Sequence, residues 1–299
     1  MKKGTLTVRI GLDDTDHPDF GCTTYSFDGL MSSLSEMRGL KIIERRLVRL
    51  WPYASRRTRG NGALSAVIEI PSNSKENLLV NCKSWFDGLL SEIADYPVAE
   101  NKPSPALLVS FDVTPSDWYW EAVRGEVNLD KRVKQVIDSD IFMLSHEDKW
   151  GVIGASAAIS WVPKGNHSWE LIGWREDEKI GTERRISKKS ILEMSSLFAD
   201  TFMNRDPTFD KGIISPRTPC PVLYGIRGAT KSAVESAHSW IQGVEGNERC
   251  FKWASHITNQ LSDDHLQGTC CGTVISKPEV KKGAHAIVKV ISDHKGENL

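Results

Sequence analysis

The chain has 299 residues, of which 39% are hydrophobic and 26% are charged, and this composition excludes a wholly disordered protein. At roughly 150 residues per domain, the length predicts about two domains. Lys and Arg number 38 and Asp and Glu number 39, so the net charge of −1 excludes the bulk positive field that marks many nucleic-acid binders. Any contact with RNA therefore has to come from local patches.

Hydropathy and cysteine usage predict a cytoplasmic protein. No apolar run approaches the roughly 18 residues of a membrane span, and Arg9 and Asp13 interrupt the stretch where a signal peptide would need its apolar core. The six cysteines form no Cys-x-x-Cys pair, so the sequence contains neither a zinc-ribbon nor a redox motif, and zinc is not expected. Reduced thiols in the cytoplasm fit this pattern best.

The first half of the chain is predicted to follow the order β-α-β-β-α-β. One helix is predicted after Thr23 or Thr24 as N-cap, and another over the apolar stripe from Leu78 to Ile93. The four predicted strands are Leu6–Leu12, Lys41–Leu50, Ala63–Ile70 and Ala106–Val113. Two short helical stretches are predicted to form a connector, around Trp118–Val123 and Leu129–Ile137.

The second half repeats this order in topology, although not in sequence. Its predicted strands are Val152–Val162, which opens the half, then Trp169–Arg175, Gly212–Ser215, Pro221–Arg227 and Arg249–Ser255. A helix is predicted from the stripe Ile191–Phe202, and a second helix is predicted to be capped by Thr230. The predicted fold is therefore α+β, with two tandem ferredoxin-like (split βαβ) units.

The pattern changes after about Asn259, where the sequence predicts a β-rich segment. Two strands are predicted there, at Cys270–Ile275 and Ala284–Ile291. About 40 residues remain from this point, and these are too few for a closed five-stranded barrel.

Three carboxylates lie close together at the end of the first predicted strand, on Asp13, Asp14 and Asp16. Carboxylates at the end of a strand are suitable ligands for Mg²⁺. The segment Gly21–Thr24 then opens a helix, whose free amides and positive dipole end suit phosphate. Together they predict a magnesium-nucleotide site, although an acidic turn before an ordinary N-cap fits the spacing about equally well.

A second candidate site lies in the turn between the second and third strands. Arg57 and Arg59 lie beside the turn Gly60-Asn61-Gly62, where arginines can fork onto phosphate oxygens and glycines let the backbone approach. By itself the turn fits a solvated hairpin tip better, with Asn-Gly chosen for positive φ. Because the predicted order places it in the same half as the acidic run, the two together predict a phosphoryl-transfer site.

The second half offers weaker candidates. Asp206 lies in a turn next to a proline, which is common for structural reasons alone. The rigid loop Ser215–Pro221 suits either a small ligand or a stiff connector. His265 is a candidate functional residue, but a lone histidine near a domain junction is more often structural.

Eight motifs together resemble one known family and are collinear from about residue 7 to residue 290. They are Gly11–Asp16, Cys22–Tyr25, Leu47–Leu50, Thr58–Ala63, Ile153–Ala155, Asn204 with Asp206-Pro207, Pro219–Gly228, and Thr258–Gln260 with His265. In these motifs the chain resembles the archaeal isoleucine-tRNA 2-agmatinylcytidine synthetase family. It departs from the family at Phe20-Gly21, where Gly-Met is usual.

The resemblance implies a kinase-like ATP-binding domain with a helical connector over residues 1–150. It also implies a ferredoxin-like domain over 151–257 and the start of an OB-fold over 258–299. Compared with the family, these 299 residues are expected to contain neither the complete OB-fold nor the zinc ribbon, as a fragment or as a natural short variant. Its enzymes use ATP, which goes to AMP, to attach agmatine to carbon 2 of the wobble cytidine in the anticodon loop of isoleucine tRNA. A phosphate activates the cytidine oxygen and agmatine displaces it. No protein partner and no membrane is implied.

The resemblance also implies roles for single residues. Thr23 corresponds to the family's autophosphorylated threonine, and Asp13, Asp14 and Asp16 fall on its catalytic, metal-binding acids. The residues predicted to contact ATP are Gly21, Thr24, Arg57, Arg59, Gly60 and Asn61. Because a guanidinium needs a carboxylate partner, agmatine is predicted at a site formed by Asp206, Ser215 and Tyr224.

The alternative interpretation is a non-catalytic nucleotide- or RNA-binding paralogue of the family. Retention of Asp13, Asp14, Asp16 and Thr23 favours a catalytic function. Loss of the C-terminal RNA-binding modules disfavours full activity. A third possibility is the same chemistry on another small amine or another RNA.

Overall fold

The computed structural model describes residues 4–17, 21–57, 59–97, 99, 102–165, 167–206, 211–260, 272–280 and 286–292. The chain divides into two compact units, Met1–Ser262 and Asp263–Leu299. His265, one of the candidate residues, lies outside the described residues.

The first unit contains both helices and strands, which are mixed along the chain. Its helices are α1 (Thr23–Ser35), α2 (Lys75–Ala94), α3 (Asp117–Arg124), α4 (Leu129–Ile137), α5 (Gly151–Ser160), α6 (Lys188–Leu197) and α7 (Lys231–Gly243). Its strands are β1 (Thr5–Asp13), β2 (Lys41–Arg49), β3 (Gly62–Pro71), β4 (Ala106–Ser110), β5 (Phe142–Ser145), β6 (Ser168–Trp174), β7 (Thr201–Phe202), β8 (Arg205–Asp206), β9 (Lys211–Gly212), β10 (Val222–Gly228) and β11 (Lys252–Thr258).

One mixed sheet of nine strands runs through the whole first unit, in the order β5-β4-β1-β3-β2-β11-β6-β10-β7. The first half contributes β5-β4-β1-β3-β2 and the second half contributes β11-β6-β10-β7, with antiparallel pairing inside each half. The halves join where β2 and β11 pair in parallel, with Ile257 opposite Arg46. The α+β prediction is confirmed, and the two halves share one continuous sheet.

Helices cover both faces of this sheet in the first half. Val8, Ile10 and Leu12 of β1 pack with the apolar stripes of α1 and α2 in one core. Because side chains alternate along a strand, Gly11 and Asp13 face the opposite side, where α5 packs against β1. This alternation brings the last residue of β1 under the buried helix.

The predicted strand Val152–Val162 is wrong, because the residues from Val152 to Ser160 belong to the helix α5. A short continuous apolar run does not distinguish a buried strand from a buried helix. Small residues let α5 approach the sheet so closely that a Cβ added at Gly11 would lie 2.5 Å from the Ala155 carbonyl oxygen. This close packing depends on the tertiary structure, and the spacing of apolar residues in the sequence does not predict it.

Smaller corrections concern element ends. Cys22 is the N-cap of α1 and Thr23 is its first residue, so neither Thr23 nor Thr24 caps it. The stripe to Phe202 divides into α6 and β7, the predicted strand Gly212–Ser215 is only the short β9, and β5 was not predicted. The Thr230 cap is confirmed, since its side chain accepts a hydrogen bond from the Ala233 amide.

The second unit contains short strands, β12 (Gly272–Val274), β13 (Glu279–Val280), β14 (Ala286–Ile287) and β15 (Val290–Ser292). β12 pairs with β15, and β13 pairs with β14, both antiparallel. The prediction of a β-rich segment therefore agrees with these strands. Within the described ranges, no helix has the length and apolar character needed to cross a membrane.

Candidate active site

The acidic run Asp13, Asp14 and Asp16 begins at the last residue of β1 and lines two cavities of the first unit. Asp13 and Asp14 line the first cavity, which contains about 690 Å³ of open space. Asp16 and Thr23 line the second cavity, of about 870 Å³. Gly62, the first residue of β3, lines both cavities. One short segment therefore supplies polar groups to two different spaces.

Asp13 lies under α5 at the wall of the first cavity. Burial, and then the neighbouring charge of Asp14, raises the pKa of the Asp13 carboxyl well above its usual range. Gly154 of α5 packs directly on this carboxylate, because a Cβ at Gly154 would collide with Oδ2 of Asp13. The missing side chain of Gly154 thus makes room for the carboxylate.

Replacing Gly154 by alanine should lower the free energy of unfolding by about 1–3 kcal/mol, the usual cost of overpacking. The added methyl group has to displace either Asp13 or the helix backbone, so ATP cleavage should fall as well if Asp13 serves it. Urea unfolding and a phosphate-release assay measure the two effects.

Gly88 in α2 is the matched control for this prediction. A Cβ added there meets nothing within 4 Å, so Gly88→Ala should stabilise the helix by about 0.5–1 kcal/mol. Equal stability of Gly154→Ala and the unmodified protein would show that α5 does not pack on Asp13 in this way.

Asp14 adopts a left-handed backbone conformation, with φ of 59°. Its Oδ2 accepts a hydrogen bond of 3.1 Å from Nη2 of Arg56, whose guanidinium lies 5.4 Å from the ring centre of Trp150. Burial outweighs this arginine and raises the pKa of Asp14 to about 7. The wall of the first cavity therefore contains two neighbouring carboxylates and one guanidinium, that of Arg56, which is hydrogen-bonded to Asp14.

Two neighbouring carboxylates with high pKa values suit a divalent cation, and Mg²⁺ is usually bound by one or two protein carboxylates together with substrate phosphates. The predicted cluster of three acids is not formed. In the part of the chain that the structure describes, no group of three or more His, Cys, Asp or Glu residues converges as metal ligands. Asp16 is directed to the second cavity instead, so the pair that fits a metal is Asp13 and Asp14.

The Thr23 hydroxyl is positioned by the loop that precedes α1. Its Oγ1 donates a hydrogen bond of 2.9 Å to Oδ1 of Asp16 and accepts weaker contacts of 3.4 Å from the amide and hydroxyl of Thr15. The next residue, Thr24, accepts a hydrogen bond from the Trp174 indole of β6, which ties the helix to the second half. Thr23 and Asp16 therefore form a hydroxyl–carboxylate pair at the cavity wall.

The glycine-rich turn contributes to both cavities. Gly60 and Asn61 have positive φ values of 68° and 39°. The Asn-Gly pattern therefore predicts the conformation of Asn61 correctly but not that of Gly62, which is not among the residues with positive φ. Asn61 lines the first cavity and donates to the Trp51 carbonyl, whereas Gly60 lines the second. Arg57 lines the first cavity with an exposed side chain. The Arg59 side chain lies outside what the structure describes.

The remaining residue predicted for ATP is Gly21. Its φ is 64°, and a Cβ there would lie 3.0 Å from the Tyr96 hydroxyl, so glycine meets a backbone requirement at this position. Gly21 is not among the described residues that line either cavity.

A buried charge cluster in the second cavity was not predicted. Arg49 binds both carboxylate oxygens of Glu170 at 2.8 and 2.7 Å, and Arg227 lies 3.2 Å from the same carboxylate. Burial by itself would raise the pKa of Glu170, which is 2% exposed, but the two arginines outweigh it and lower the pKa to about 2. In the sequence, this cluster could have been suspected from Glu170, a charged residue inside a predicted strand that is otherwise mostly apolar.

Glu170→Ala should lower the free energy of unfolding at pH 7 by about 1.5–3 kcal/mol, because it removes charged hydrogen bonds from two half-buried arginines. The pKa of Glu170 is depressed on folding, so its contribution is full above the unfolded value near 4.5 and disappears as the pH falls towards about 2. The difference between variant and unmodified protein should therefore shrink over that interval in urea unfolding.

Glu193→Ala provides the comparison, since Glu193 forms an exposed pair with Lys189 at 3.7 Å. Exposed pairs of this kind contribute about 0–1 kcal/mol. A Glu170 variant as mild as the Glu193 variant would contradict the role of the buried cluster.

Of the three residues predicted for agmatine, only Ser215 lines the second cavity. Asp206 belongs to β8, whose partner is β9. Tyr224 points to the other face of the sheet, where its hydroxyl lies 2.9 Å from Nδ1 of His238 on α7. The structure therefore does not bring Asp206 and Tyr224 together with Ser215 at this cavity. Strand alternation explains Tyr224, because its neighbour Gly225 faces the cavity.

Two family models match this chain: the TiaS TCKD domain over residues 9–147 and the TiaS FLD domain over residues 149–265. The isoleucine-tRNA 2-agmatinylcytidine synthetase TiaS of Methanocaldococcus jannaschii is 30% identical and aligns with 96% of this chain and 70% of its own length. The protein of the same name from Archaeoglobus fulgidus is 32% identical over 88% of this chain and 60% of its own length.

Solved structures agree with these matches. The complex of TiaS with isoleucine tRNA and ATP has a TM-score of 0.75 at 28% identity, over 96% of this chain and 70% of that one. The complex of TiaS with isoleucine tRNA, AMPCPP and agmatine has a TM-score of 0.72 at 27% identity, over 96% and 71%. The chain thus spans about 60 to 70% of the length of the relatives and structures that it matches.

Proposed function

We propose, from the premise that this chain belongs to the TiaS family, that it is an ATP-dependent tRNA-cytidine ligase. It conjugates agmatine to carbon 2 of the wobble cytidine of isoleucine tRNA through a phosphorylated cytidine, and ATP goes to AMP. The observation that supports this most directly is the placement of the acidic run. Asp13 and Asp14 lie at one cavity, and Asp16 with Thr23 at the other. Two adjoining spaces that share one acidic segment suit a reaction with two small substrates.

We assign residues 1–150 to a kinase-like domain with its helical connector, 151–257 to a ferredoxin-like domain, and 258–299 to the start of an OB-fold. The strand orders β4-β1-β3-β2 and β11-β6-β10-β7 support a split βαβ unit in each half. The bounds of the two family models, 9–147 and 149–265, lie close to the first division.

ATP is placed in the first cavity. Arg56 and Arg57 offer cations to its phosphates, and the ring of Trp150 offers a surface for stacking. Asp13 and Asp14 are the residues that would hold Mg²⁺, and the ion when bound would neutralise negative charge on the phosphate oxygens. Gly62 lines both cavities, which supports a path for the phosphates along the glycine turn towards Thr23.

Thr23 is the phosphoryl acceptor in this proposal, and Asp16 is its base. Oδ1 of Asp16 already accepts the Thr23 hydroxyl hydrogen at 2.9 Å, within the range that general-base catalysis needs. As Oγ1 of Thr23 bonds to the γ-phosphorus, its proton passes to Asp16, and the bond from the γ-phosphorus to the bridging β-phosphate oxygen breaks, which leaves ADP. Attack of water on the β-phosphorus of that ADP then releases inorganic phosphate and gives AMP.

Agmatine is placed in the second cavity, against a partly apolar wall. Leu47, Ile172 and Pro216 suit its methylene chain, and the Ser215 hydroxyl suits a hydrogen bond to one of its polar ends. Of the three residues first predicted for agmatine, we keep Ser215 alone. The wobble cytidine has to reach the same cavity for the amine to attack it.

The proposal also gives the protein a location and a partner. The described cysteines Cys22, Cys82, Cys220 and Cys250 form no disulfide with one another, which suits the reducing cytoplasm. Isoleucine tRNA is the macromolecular substrate, bound through its anticodon loop.

The test is incubation of the protein with ATP, agmatine and an isoleucine tRNA transcript, followed by mass spectrometry of the released nucleosides. We expect a cytidine that carries agmatine, together with AMP, and neither product when ATP is omitted. Nucleotide binding without any modified cytidine or AMP would instead favour the non-catalytic paralogue.

A further inference from the structure

One arginine outside both cavities binds an unusual number of backbone carbonyls. The Arg184 guanidinium donates through Nε to the Val222 carbonyl at 2.8 Å and through Nη1 to the Pro216 carbonyl at 2.9 Å. Its Nη2 donates to the carbonyls of Thr218 and Cys220 at 3.0 and 3.1 Å. Every one of these acceptors lies between Pro216 and Val222, in the connection from β9 to the start of β10, so one side chain spans the whole loop.

This loop, Ser215–Pro221 with the following Val222, forms a wall of the second cavity. Ser215, Pro216, Cys220 and Val222 all line it. The loop contains three prolines, which have no amide hydrogen to donate to a neighbouring carbonyl. Its carbonyls therefore need donors from elsewhere, and Arg184 supplies them.

We propose that Arg184 is a positioning residue that holds the Ser215–Val222 wall in the shape that receives the small amine substrate. The identity of that substrate rests on the proposed function, whereas the shape of the wall does not. Arg184 does not touch the substrate in this account. It acts through the loop, and five planar donors suit that task better than the three of a lysine.

The shape of the wall is tested first, without any substrate. Cys220 is 1% exposed, and its sulfur lies 3.3 Å from Nη2 of Arg184. In Arg184→Ala, alkylation of Cys220 by iodoacetamide should rise about tenfold or more, since the hydrogen bonds to the loop carbonyls no longer oppose local opening. Peptide mass spectrometry follows Cys220, with the fully buried Cys82 as internal reference.

The substrate role is tested by kinetics. We expect the KM for agmatine to rise about tenfold or more in Arg184→Ala, with KM for ATP and kcat at saturating agmatine nearly unchanged. Guanidinium ion at millimolar concentration should restore part of the loss in Arg184→Ala and none in the unmodified protein. Arg184→Lys should be intermediate, because a lysine keeps the charge but reaches fewer carbonyls.

The matched control is Arg185→Ala, which removes the same charge from the adjacent exposed position. It should leave Cys220 protected and the KM for agmatine unchanged. If Arg184→Ala does not fold, Arg184→Lys carries the same comparison of Cys220 reactivity and KM.

Three results would overturn the inference or part of it. Continued protection of Cys220 in the Arg184 variants would show that the arginine does not hold the loop. An open loop with an unchanged KM for agmatine would show that this wall does not receive the amine. If the unmodified protein neither binds nor uses agmatine, the proposed function fails, and Cys220 reactivity still decides whether Arg184 positions the loop.

Discussion

Asp14→Asn should slow ATP cleavage by about 10²-fold or more, the scale of losing a key electrostatic group at a phosphoryl-transfer site. Asn tolerates the left-handed backbone at this position and has nearly the same shape as Asp. It removes the charge that we assign to the metal and phosphate site. The measurement is release of phosphate or AMP under saturating ATP and Mg²⁺.

Stability should not fall in parallel. Burial raises the pKa of Asp14 to about 7, so the charged form of this group is unfavourable in the folded protein near neutral pH. A neutral amide removes that cost, and thermal unfolding should show a Tm equal to or above that of the unmodified protein. Activity and stability therefore change in different directions.

The control for this prediction is Asp87→Ala. Asp87 is an exposed residue of α2 that pairs with the exposed Lys83. Its replacement should leave ATP cleavage unchanged because Asp87 is not among the residues that line either cavity. Stability should also change little, since exposed ion pairs contribute about 0–1 kcal/mol to it. An Asp14→Asn protein that cleaves ATP at the normal rate would remove Asp14 from the site.

Thr23→Val should abolish transfer of label from γ-labelled ATP to the protein at this position. Valine has nearly the shape of threonine but no oxygen to accept a phosphoryl group. Asp16→Asn should slow the labelling by about 10²–10⁴-fold, the usual contribution of a general base. Mass spectrometry of the labelled peptide locates the phosphate.

Thr23→Ser tests whether the hydroxyl or the shape is required. Serine keeps the oxygen beside Asp16, so this variant should retain phosphorylation at a reduced rate. Label that persists in Thr23→Val, or that appears only at other residues, would contradict the acceptor role and favour the non-catalytic interpretation.

Much of the fold follows from local patterns in the sequence. The helical spacing of apolar residues predicts α1 and α2, and alternation with glycine turns predicts β1, β2 and β3, because period and turn chemistry are properties of neighbouring residues. The repeated β-α-β-β-α-β order also follows from these patterns. The acidic run, Thr23 and the glycine turn are visible for the same reason.

The site itself depends on how distant segments meet. Arg49 and Glu170 are 121 positions apart and come together only because β2 and β11 join the two halves in one sheet. Asp13 and Asp14 line one cavity and Asp16 lines the other, so a run that predicts one metal cluster supplies two cavities.

By itself, the sequence determined the α+β class, most elements, and the residues at the end of β1 and the start of α1. Only the tertiary structure decided that the residues from Val152 to Ser160 form a helix and that Asp13 lies beneath Gly154. It also decided that Arg184 hydrogen-bonds to the carbonyls of the loop before β10. Local sequence patterns predict helices, strands and helix caps, because these depend on residues that are close together in the chain. Burial, ion pairing and close approach depend on residues brought together by the sheet, and no local pattern contains them.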